Sequence, residues 1–205
     1  MSLSEYQKEQ YESLQIVREY FSCSGRAEKE RLLDLAKDYL VFRRRVQGFL
    51  SEYFGEVCRL KCYQSRLSAC CSREGIITFF ADVVLNALLS TDERLDRLSA
   101  TLAQDKPGYK CIYLGSSGCL WNLKPIVCEM FLCDSAKRLV FEKHPKAALE
   151  WRKFRSEEKL FKWPDRPVLF DQIENTFMKA GFRSPLMYLN NSPGLLLIKK
   201  RAGLA

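Results

Sequence analysis

Eight of the nine cysteines of this chain fall in an ordered series in the middle of the sequence. The series consists of Cys58, Cys62, Cys70, Cys71, Cys111, Cys119, Cys128 and Cys133. A structural cysteine behaves as a small buried hydrophobe and has no physical reason to cluster with others. Clustering therefore indicates sulfur chemistry, which means disulfide formation, redox thiol chemistry, or ligation of a metal ion or an iron–sulfur cluster.

The expected compartment favours ligation over disulfides. Residues 1–20 mix acidic, basic and apolar residues, unlike a secretory signal peptide, and no apolar run reaches the length of a membrane span. We therefore expect a cytoplasmic protein without membrane association, in which cellular reductants keep thiols reduced. A chain of 205 residues with 47% hydrophobic content can also bury a core without disulfides.

The eight cysteines divide into two groups of four, and the spacing within each group suits metal ligation. In the first group, three residues separate Cys58 from Cys62, and seven more precede the adjacent pair Cys70 and Cys71. In the second group the intervals are seven, eight and four residues. Eight ligands match two four-thiolate sites, or one such site with additional thiols for chemistry. Neighbouring side chains of an extended segment point to opposite sides, so we favour two adjacent sites that share the pair.

Zinc and iron–sulfur clusters both fit this set of ligands. Structural zinc takes four tetrahedral thiolates, and iron–sulfur clusters are also held by four cysteines. Basic residues near the cysteines would lower the pKa of the thiols and favour the ligating thiolate. These residues are Arg59, Lys61, Arg66, Arg73, Lys110 and Lys124. Cys23 lies outside the series, and the single histidine, His144, is expected at the surface.

The second half of the series has a distinctive pattern. After the pair Cys70 and Cys71, the chain reads CIYLGSSGCLWNLKPIVCEMFLC from Cys111 to Cys133. This order resembles the CxxCxxCC family of zinc- or iron-chelating cysteine-cluster proteins, the YkgJ-like family. The matching positions are Cys119, Leu120, Trp121, Lys124, Pro125 and Cys128. The resemblance implies metal or cluster binding in the cytoplasm of a bacterium.

Apolar residues recur at helical spacing through most of the chain. This periodicity predicts helices at residues 4–21, 27–54, 76–89, 146–161 and 168–180. A capping box of Ser90 and Glu93 predicts one more helix. Residues 111–133 contain glycine and proline without a helical period, so loops with short extended pieces are expected. Apolar runs at 186–189 and 195–199 flank an Asn-Asn-Ser-Pro-Gly sequence, which predicts a β-hairpin.

These elements predict a mainly α protein, a helical single domain over residues 1–205. The helical scaffold would comprise residues 1–57 and 134–185. Between them would lie a central irregular cysteine-rich metal-binding region at 58–133, and a small C-terminal β-hairpin would follow at 186–200. The simplest role of the metal is to tie loops onto the helices, because the free energy of metal binding becomes folding free energy.

The net charge of +8 also indicates nucleic-acid binding as a function to consider. Thiolate centres are themselves negative, however, so part of the basic excess can offset that charge. The run Arg43, Arg44 and Arg45 lies in a predicted amphipathic helix, where we expect a solvated face. We therefore predict a protein that binds zinc or an iron–sulfur cluster, with its partner and physiological role open. Two alternatives are an iron–sulfur redox or modifying enzyme and a basic zinc module that binds nucleic acid.

Overall fold

The structure, a computed structural model, describes residues 3–57, 77–104, 111–115, 118–163 and 166–203. Its elements are α1 (Glu5–Cys23), α2 (Arg26–Leu35), α3 (Lys37–Val57), α4 (Phe80–Leu88), α5 (Asp92–Leu102), β1 (Leu114–Gly115), β2 (Gly118–Cys119), α6 (Ile126–Glu129), α7 (Asp134–Phe141), α8 (Pro145–Lys162), α9 (Leu169–Lys179), α10 (Tyr188–Asn191) and α11 (Pro193–Arg201). The described chain is mainly helical, as predicted. None of these helices is both long and apolar enough to cross a membrane.

Aromatic side chains form much of the core that holds the helices together. On α3, Phe49 stacks on Trp151 of α8 with ring centroids 5.8 Å apart. Phe80, the first residue of α4, packs edge-on against Phe177 of α9 at 4.9 Å. Aromatic rings bury large apolar areas and prefer offset or edge-to-face contacts. Helices α3, α4, α8 and α9 therefore contribute to one hydrophobic core.

The first predicted helix is confirmed, and the second is divided in two. α1 follows its N-cap Ser4, whose hydroxyl accepts the N–H of Gln7 at 3.2 Å. The predicted helix at 27–54 consists of α2 and α3, which are separated by Ala36 (φ −87°, ψ −1°). The apolar period continues across the break because Ala36 is itself buried. Periodicity reports which face is buried and does not reveal a single-residue interruption of the backbone.

Helices α4 and α5 begin later than predicted. Phe79 is extended, and the carboxylate of Asp82 accepts its N–H at 3.0 Å, so α4 begins at the next residue instead of at residue 76. α5 has Thr91 as its N-cap, and the predicted capping box at Ser90 is not formed. Helix starts are set by local hydrogen bonds and caps, which the apolar period does not contain.

The predicted C-terminal β-hairpin at residues 186–200 is wrong. The chain forms α10 and α11 in this region, with Ser192 as the N-cap and Pro193 as the first residue of α11. Proline suits this position because the first helical N–H has no intrahelical partner and the ring fixes a helical φ. The Ser-Pro-Gly sequence therefore begins a helix, although the same residue types are common in hairpin turns.

A buried ion pair attaches α11 to α9. Lys199 is buried and donates hydrogen bonds to the carboxylate of Asp171 and to Asn190 Oδ1, the latter at 3.2 Å. Beside this pair, the buried Glu174 accepts the Asn190 amide at 2.7 Å and the N–H of Leu189 at 3.4 Å. Burial raises the pKa of Glu174 to about 7; these hydrogen bonds and Lys199 oppose the shift, and the Asp171 charge adds to it.

We expect Glu174 to make the protein less stable as the pH rises from about 4.5 to about 7. The folded state keeps this proton up to about pH 7, whereas the unfolded chain releases it near 4.5, so the folded state binds more protons in that interval. The difference between the two pKa values corresponds to a loss of about 3 kcal/mol of unfolding free energy. The loss reaches this full value once the pH exceeds the pKa of Glu174 in the folded state, about 7. Urea denaturation across this pH range measures the loss.

A matched variant isolates the contribution of Glu174. Burial also raises the pKa of Asp82, to about 6, although Arg43 and two backbone N–H groups oppose the shift, so this carboxyl contributes a loss of the same sign. The informative quantity is therefore the difference in unfolding free energy between wild type and the Glu174→Gln variant at each pH. A difference that stays constant with pH would contradict the titration of Glu174 in this range.

Gly181 ends α9 in a backbone conformation that suits glycine. Its φ is +89°, its N–H donates to the Met178 carbonyl, and the N–H of Phe182 donates to the Phe177 carbonyl at 3.0 Å. This is the Schellman arrangement of a helix C-terminus, and it lies directly after the predicted helix at 168–180. The predicted helices at 146–161 and 168–180 are also confirmed, as α8 and α9.

Two glycine-to-alanine variants are expected to change stability in opposite directions. Gly181→Ala places a Cβ in the left-handed region and should cost about 1–2 kcal/mol of unfolding free energy. Gly48→Ala lies inside α3, where a new Cβ meets nothing within 4 Å, and should stabilise the protein by about 1 kcal/mol. Thermal or urea unfolding of both variants measures the two changes in unfolding free energy. Equal effects would contradict the left-handed conformation at Gly181.

Candidate metal centre

The structure describes half of the predicted metal ligands. Cys58, Cys62, Cys70 and Cys71 lie outside the described residues, so their assignment as ligands stays a prediction. Among the others, Cys111 is buried and Cys119 is exposed at the end of β2, whereas Cys128 in α6 and Cys133 before α7 are half-buried. Cys23, the cysteine outside the series, is exposed at the end of α1.

The two short strands fold the chain back between Cys111 and Cys119. β1 and β2 pair antiparallel, with Leu114 opposite Cys119, and the N–H of Leu120 donates to the Tyr113 carbonyl at 2.9 Å. This agrees with the prediction of loops with short extended pieces at 111–133, except that Ile126–Glu129 form the short helix α6. The ring of Tyr113 packs edge-on against Trp121, with centroids 5.4 Å apart.

Tyr6 and Tyr113 lie within electrostatic range of three of the predicted ligands. Burial is the main reason that the pKa of Tyr6 is raised; the neighbouring hydroxyls of Thr78 and Tyr113 oppose the shift, and negative charge on Cys111 and Cys128 adds to it. Burial likewise raises the pKa of Tyr113, and the neighbouring Tyr6, Cys111 and Cys119 raise it further. Each of Cys111, Cys119 and Cys128 therefore lies within electrostatic range of at least one of these two phenols, although the three come from different stretches of chain.

The indole Nε1 of the buried Trp121 has no hydrogen-bond partner among the described residues, whereas the Tyr6 hydroxyl lies beside those of Thr78 and Tyr113. Buried polar groups nearly always have a partner, so this N–H donor, whose ring packs against Tyr113, favours a further group at this place. N–H and O–H donors stabilise thiolate and cluster sulfur by hydrogen bonding. These side chains therefore fit the surroundings of a thiolate-bound centre.

The described cysteines do not complete a metal site by themselves. Within the described ranges, no three His, Cys, Asp or Glu side chains lie close enough together to hold a metal ion. A complete site would thus need ligands from outside those ranges, where the first cysteine group lies. His144 is exposed, as predicted.

Cys133 has an environment that favours its thiolate. It occupies the N-cap position of α7, and its Sγ lies 3.2 Å from the Ser135 hydroxyl. Burial would raise the pKa of this thiol, but the Ser135 hydroxyl and backbone N–H groups, including that of Ala136, together lower it. N–H groups at a helix N-terminus stabilise negative charge, so Cys133 is suited to ligation or to thiol chemistry.

Side chains from α4 hold the backbone that leads to Cys128. Asn86 Oδ1 accepts the N–H groups of Asn122 and Leu123 at 2.8 and 3.0 Å. One carboxylate oxygen of Asp82 accepts the N–H of Ile126 at 3.0 Å, while the other caps α4. Two buried polar side chains on one rigid helix therefore fix the segment before Cys128, and Asp82 also caps the helix to which it belongs.

Arg43 on α3 holds the same segment from the other side. It forms a buried salt bridge with Glu129, the residue after Cys128, and also donates to the Lys124 carbonyl at 2.5 Å and to the Tyr39 hydroxyl at 2.6 Å. The side chain of Arg43 is only 2% exposed. Charges buried this deeply are tolerated only when they are paired and hydrogen-bonded. The position of Cys128 therefore depends on a polar network with members on α3 and α4.

The burial of Arg43 corrects the expectation of a solvated basic run. Only its neighbours fit that expectation, since Arg44 is exposed and Arg45 forms a surface ion pair with Glu157 at 2.8 Å. A signal was present in the sequence, because Arg43 lies four residues after the buried Tyr39 and therefore on the same helix face.

Comparisons of the chain with models of known protein families, with curated proteins and with solved structures found no match. The likeness to cysteine-cluster proteins therefore depends on the residues quoted from the sequence alone.

Proposed function

We propose that this protein binds zinc or an iron–sulfur cluster through thiolates of its cysteine series. The observation that carries the proposal is the confinement of eight of nine cysteines to a series of two four-cysteine groups. The residues that would hold the metal are Cys58, Cys62, Cys70, Cys71, Cys111, Cys119, Cys128 and Cys133. Either zinc or an iron–sulfur cluster can be bound by these cysteine ligands. A cytoplasmic location is part of the proposal because the thiols must stay reduced.

The surroundings of the second group support the proposal. Cys111, Cys119 and Cys128 lie within electrostatic range of Tyr6 or Tyr113, and beside Tyr113 the buried Trp121 N–H lacks a partner among the described residues. A thiolate-bound centre would supply acceptor sulfur atoms to such donors. When bound, zinc would link the cysteine-bearing loops as a structural site, whereas an iron–sulfur cluster would supply an electron-transfer centre.

The chain's own polar residues would hold the ligand loop in place. Arg43, Asp82 and Asn86 fix the backbone before Cys128 by hydrogen bonds that involve no ligand, and Arg43 also pairs with the side chain of Glu129 after it. A loop positioned before metal binding loses less conformational entropy when its thiolate is captured. We therefore assign these three side chains a positioning role for Cys128.

The exposure of Cys119 supports the redox alternative. An exposed ligand would bring a cluster within reach of a partner protein or substrate, whereas closed structural zinc sites are usually shielded. An iron–sulfur redox or modifying enzyme is accordingly the second candidate function. The nucleic-acid alternative is supported by net charge alone.

Anaerobic purification followed by elemental analysis, sulfide determination and a visible absorption spectrum tests the proposal. Iron with acid-labile sulfide and a brown colour would support a cluster. A colourless protein with about two zinc ions per chain would support closed structural sites. A chain that contains neither metal, and that does not take up zinc or iron after reduction, would overturn the proposal.

A further inference from the structure

A cleft of about 140 Å³ opens between α3 and the segment that leads to Cys128. Its lining includes Arg43, Arg44 and Gln47 of α3, Asn122 and Lys124 of that segment, and Glu129 directly after it. One wall is the exposed side of α3, and the other is the loop that Asn86 and Arg43 hold in place. The cleft is therefore built on fixed backbone on both sides.

The charges in this cleft do not balance. Glu129 is the single acidic residue of the lining, and the buried Arg43 already neutralises it. Arg44 and Lys124 are both exposed, and neither forms an ion pair with any described residue. At the rim, Arg94 donates to Asn122 Oδ1 at 3.0 Å and adds a further positive charge. The lining therefore carries positive charge without a matching acid.

We propose that this cleft binds a small oxyanion between Arg44 and Lys124. Arg44 and Lys124 line the same cleft, and cations that line a concave site attract negative ligands more strongly than cations on a flat surface do. Arginine offers a planar fork of donors that matches phosphate and carboxylate, and lysine adds a point charge. The amide of Gln47 supplies a neutral hydrogen-bonding group in the same lining.

The size of the cleft limits the ligand. Pockets for drug-sized ligands occupy about 300–1,000 Å³, and this cleft is well below that range. A whole nucleotide would therefore extend beyond the walls, whereas inorganic phosphate or a small dicarboxylate fits inside. The inference goes beyond metal binding and does not depend on it, because none of the lining residues is a cysteine.

Isothermal titration calorimetry with inorganic phosphate and, separately, with succinate tests the proposal on the full chain as purified. We expect saturable binding of at least one anion to wild-type protein, and the tighter of the two identifies phosphate or carboxylate as the ligand class. Each of the variants Arg44→Gln and Lys124→Gln should weaken this binding about tenfold, since each removes a charged hydrogen-bond donor.

Arg201→Gln is the matched control, because Arg201 is an exposed cation on α11 outside the lining of the cleft. Its affinity for the anion should equal that of the wild type. Thermal unfolding of all three variants should match the wild type, because the substituted side chains are exposed. No saturable binding of either anion, or equal affinities for wild type and all variants, would overturn the proposal.

Discussion

Replacement of Cys128 by serine is expected to release the bound metal and to abolish the soluble fold at the same time. A serine hydroxyl does not supply the thiolate that zinc or iron–sulfur clusters require. Structural zinc contributes about 10–16 kcal/mol of apparent binding free energy, which exceeds the stability of most domains. The measurements are metal content after purification and the soluble fraction on expression.

The control for this variant is Cys23→Ser. Cys23 is exposed and outside the series, so this substitution should leave metal content and solubility unchanged. Because both variants exchange the same atoms, the comparison separates ligation from the general effect of losing a thiol. A Cys128→Ser protein that stays folded with its full metal content would show that Cys128 is not a ligand.

The second large effect is expected from Arg43→Met. Methionine keeps much of the side-chain volume but leaves the Glu129 carboxylate, 9% exposed, without its cation and the Tyr39 hydroxyl without its charged donor. Removing one partner of a buried ion pair costs about 3–5 kcal/mol. We therefore expect a loss of about 4 kcal/mol of unfolding free energy in chemical denaturation.

Arg45→Met provides a control on the same helix. Arg45 pairs with Glu157 at the surface, and the Arg45 side chain is about half exposed. A surface ion pair of this kind contributes at most about 1 kcal/mol to the unfolding free energy. The double variant Arg43→Met with Glu129→Gln should recover part of the loss, because the unpaired charge is gone. Equal costs for Arg43→Met and Arg45→Met would contradict the role of Arg43 in holding the Cys128 segment.

The helical scaffold could be predicted because its apolar residues follow the helical period over long stretches. Phe49 and Trp151, for example, both belong to apolar stripes, and they pack against each other in the core. The period did not reveal where the backbone deviates, as at Ala36, because a buried residue satisfies the pattern whatever its local dihedral angles are. Helix starts such as that of α4 depended on a single carboxylate.

The C-terminal error has a definite physical cause. Ser192 and Pro193 are residue types that are common both in turns and at helix N-termini. The apolar run after them is too short to show a helical or strand period. Lys199 attaches this helix to the core through a buried ion pair with Asp171, a residue of α9. No local pattern encodes a partner that lies so far away along the chain.

The candidate site could be predicted by residue type but not in its supporting contacts. The cysteine series was visible in the sequence, whereas the pairing of Arg43 with Glu129 joins residues from distant stretches. The surroundings of Cys111 and Cys128 likewise depend on Tyr6, which belongs to the first helix. Ligand identity is a property of the sequence, but the hydrogen bonds that position a ligand are a property of the fold.

Native mass spectrometry of the full chain, purified without oxygen, tests the central claim most directly. The predicted result is a folded species that is heavier than the reduced chain by the mass of bound zinc ions or iron–sulfur clusters, and that returns to the chain mass when a chelator and acid are added. The contradicting result is a folded species at the mass of the metal-free chain, either fully reduced or lighter by the hydrogen atoms lost in disulfide formation.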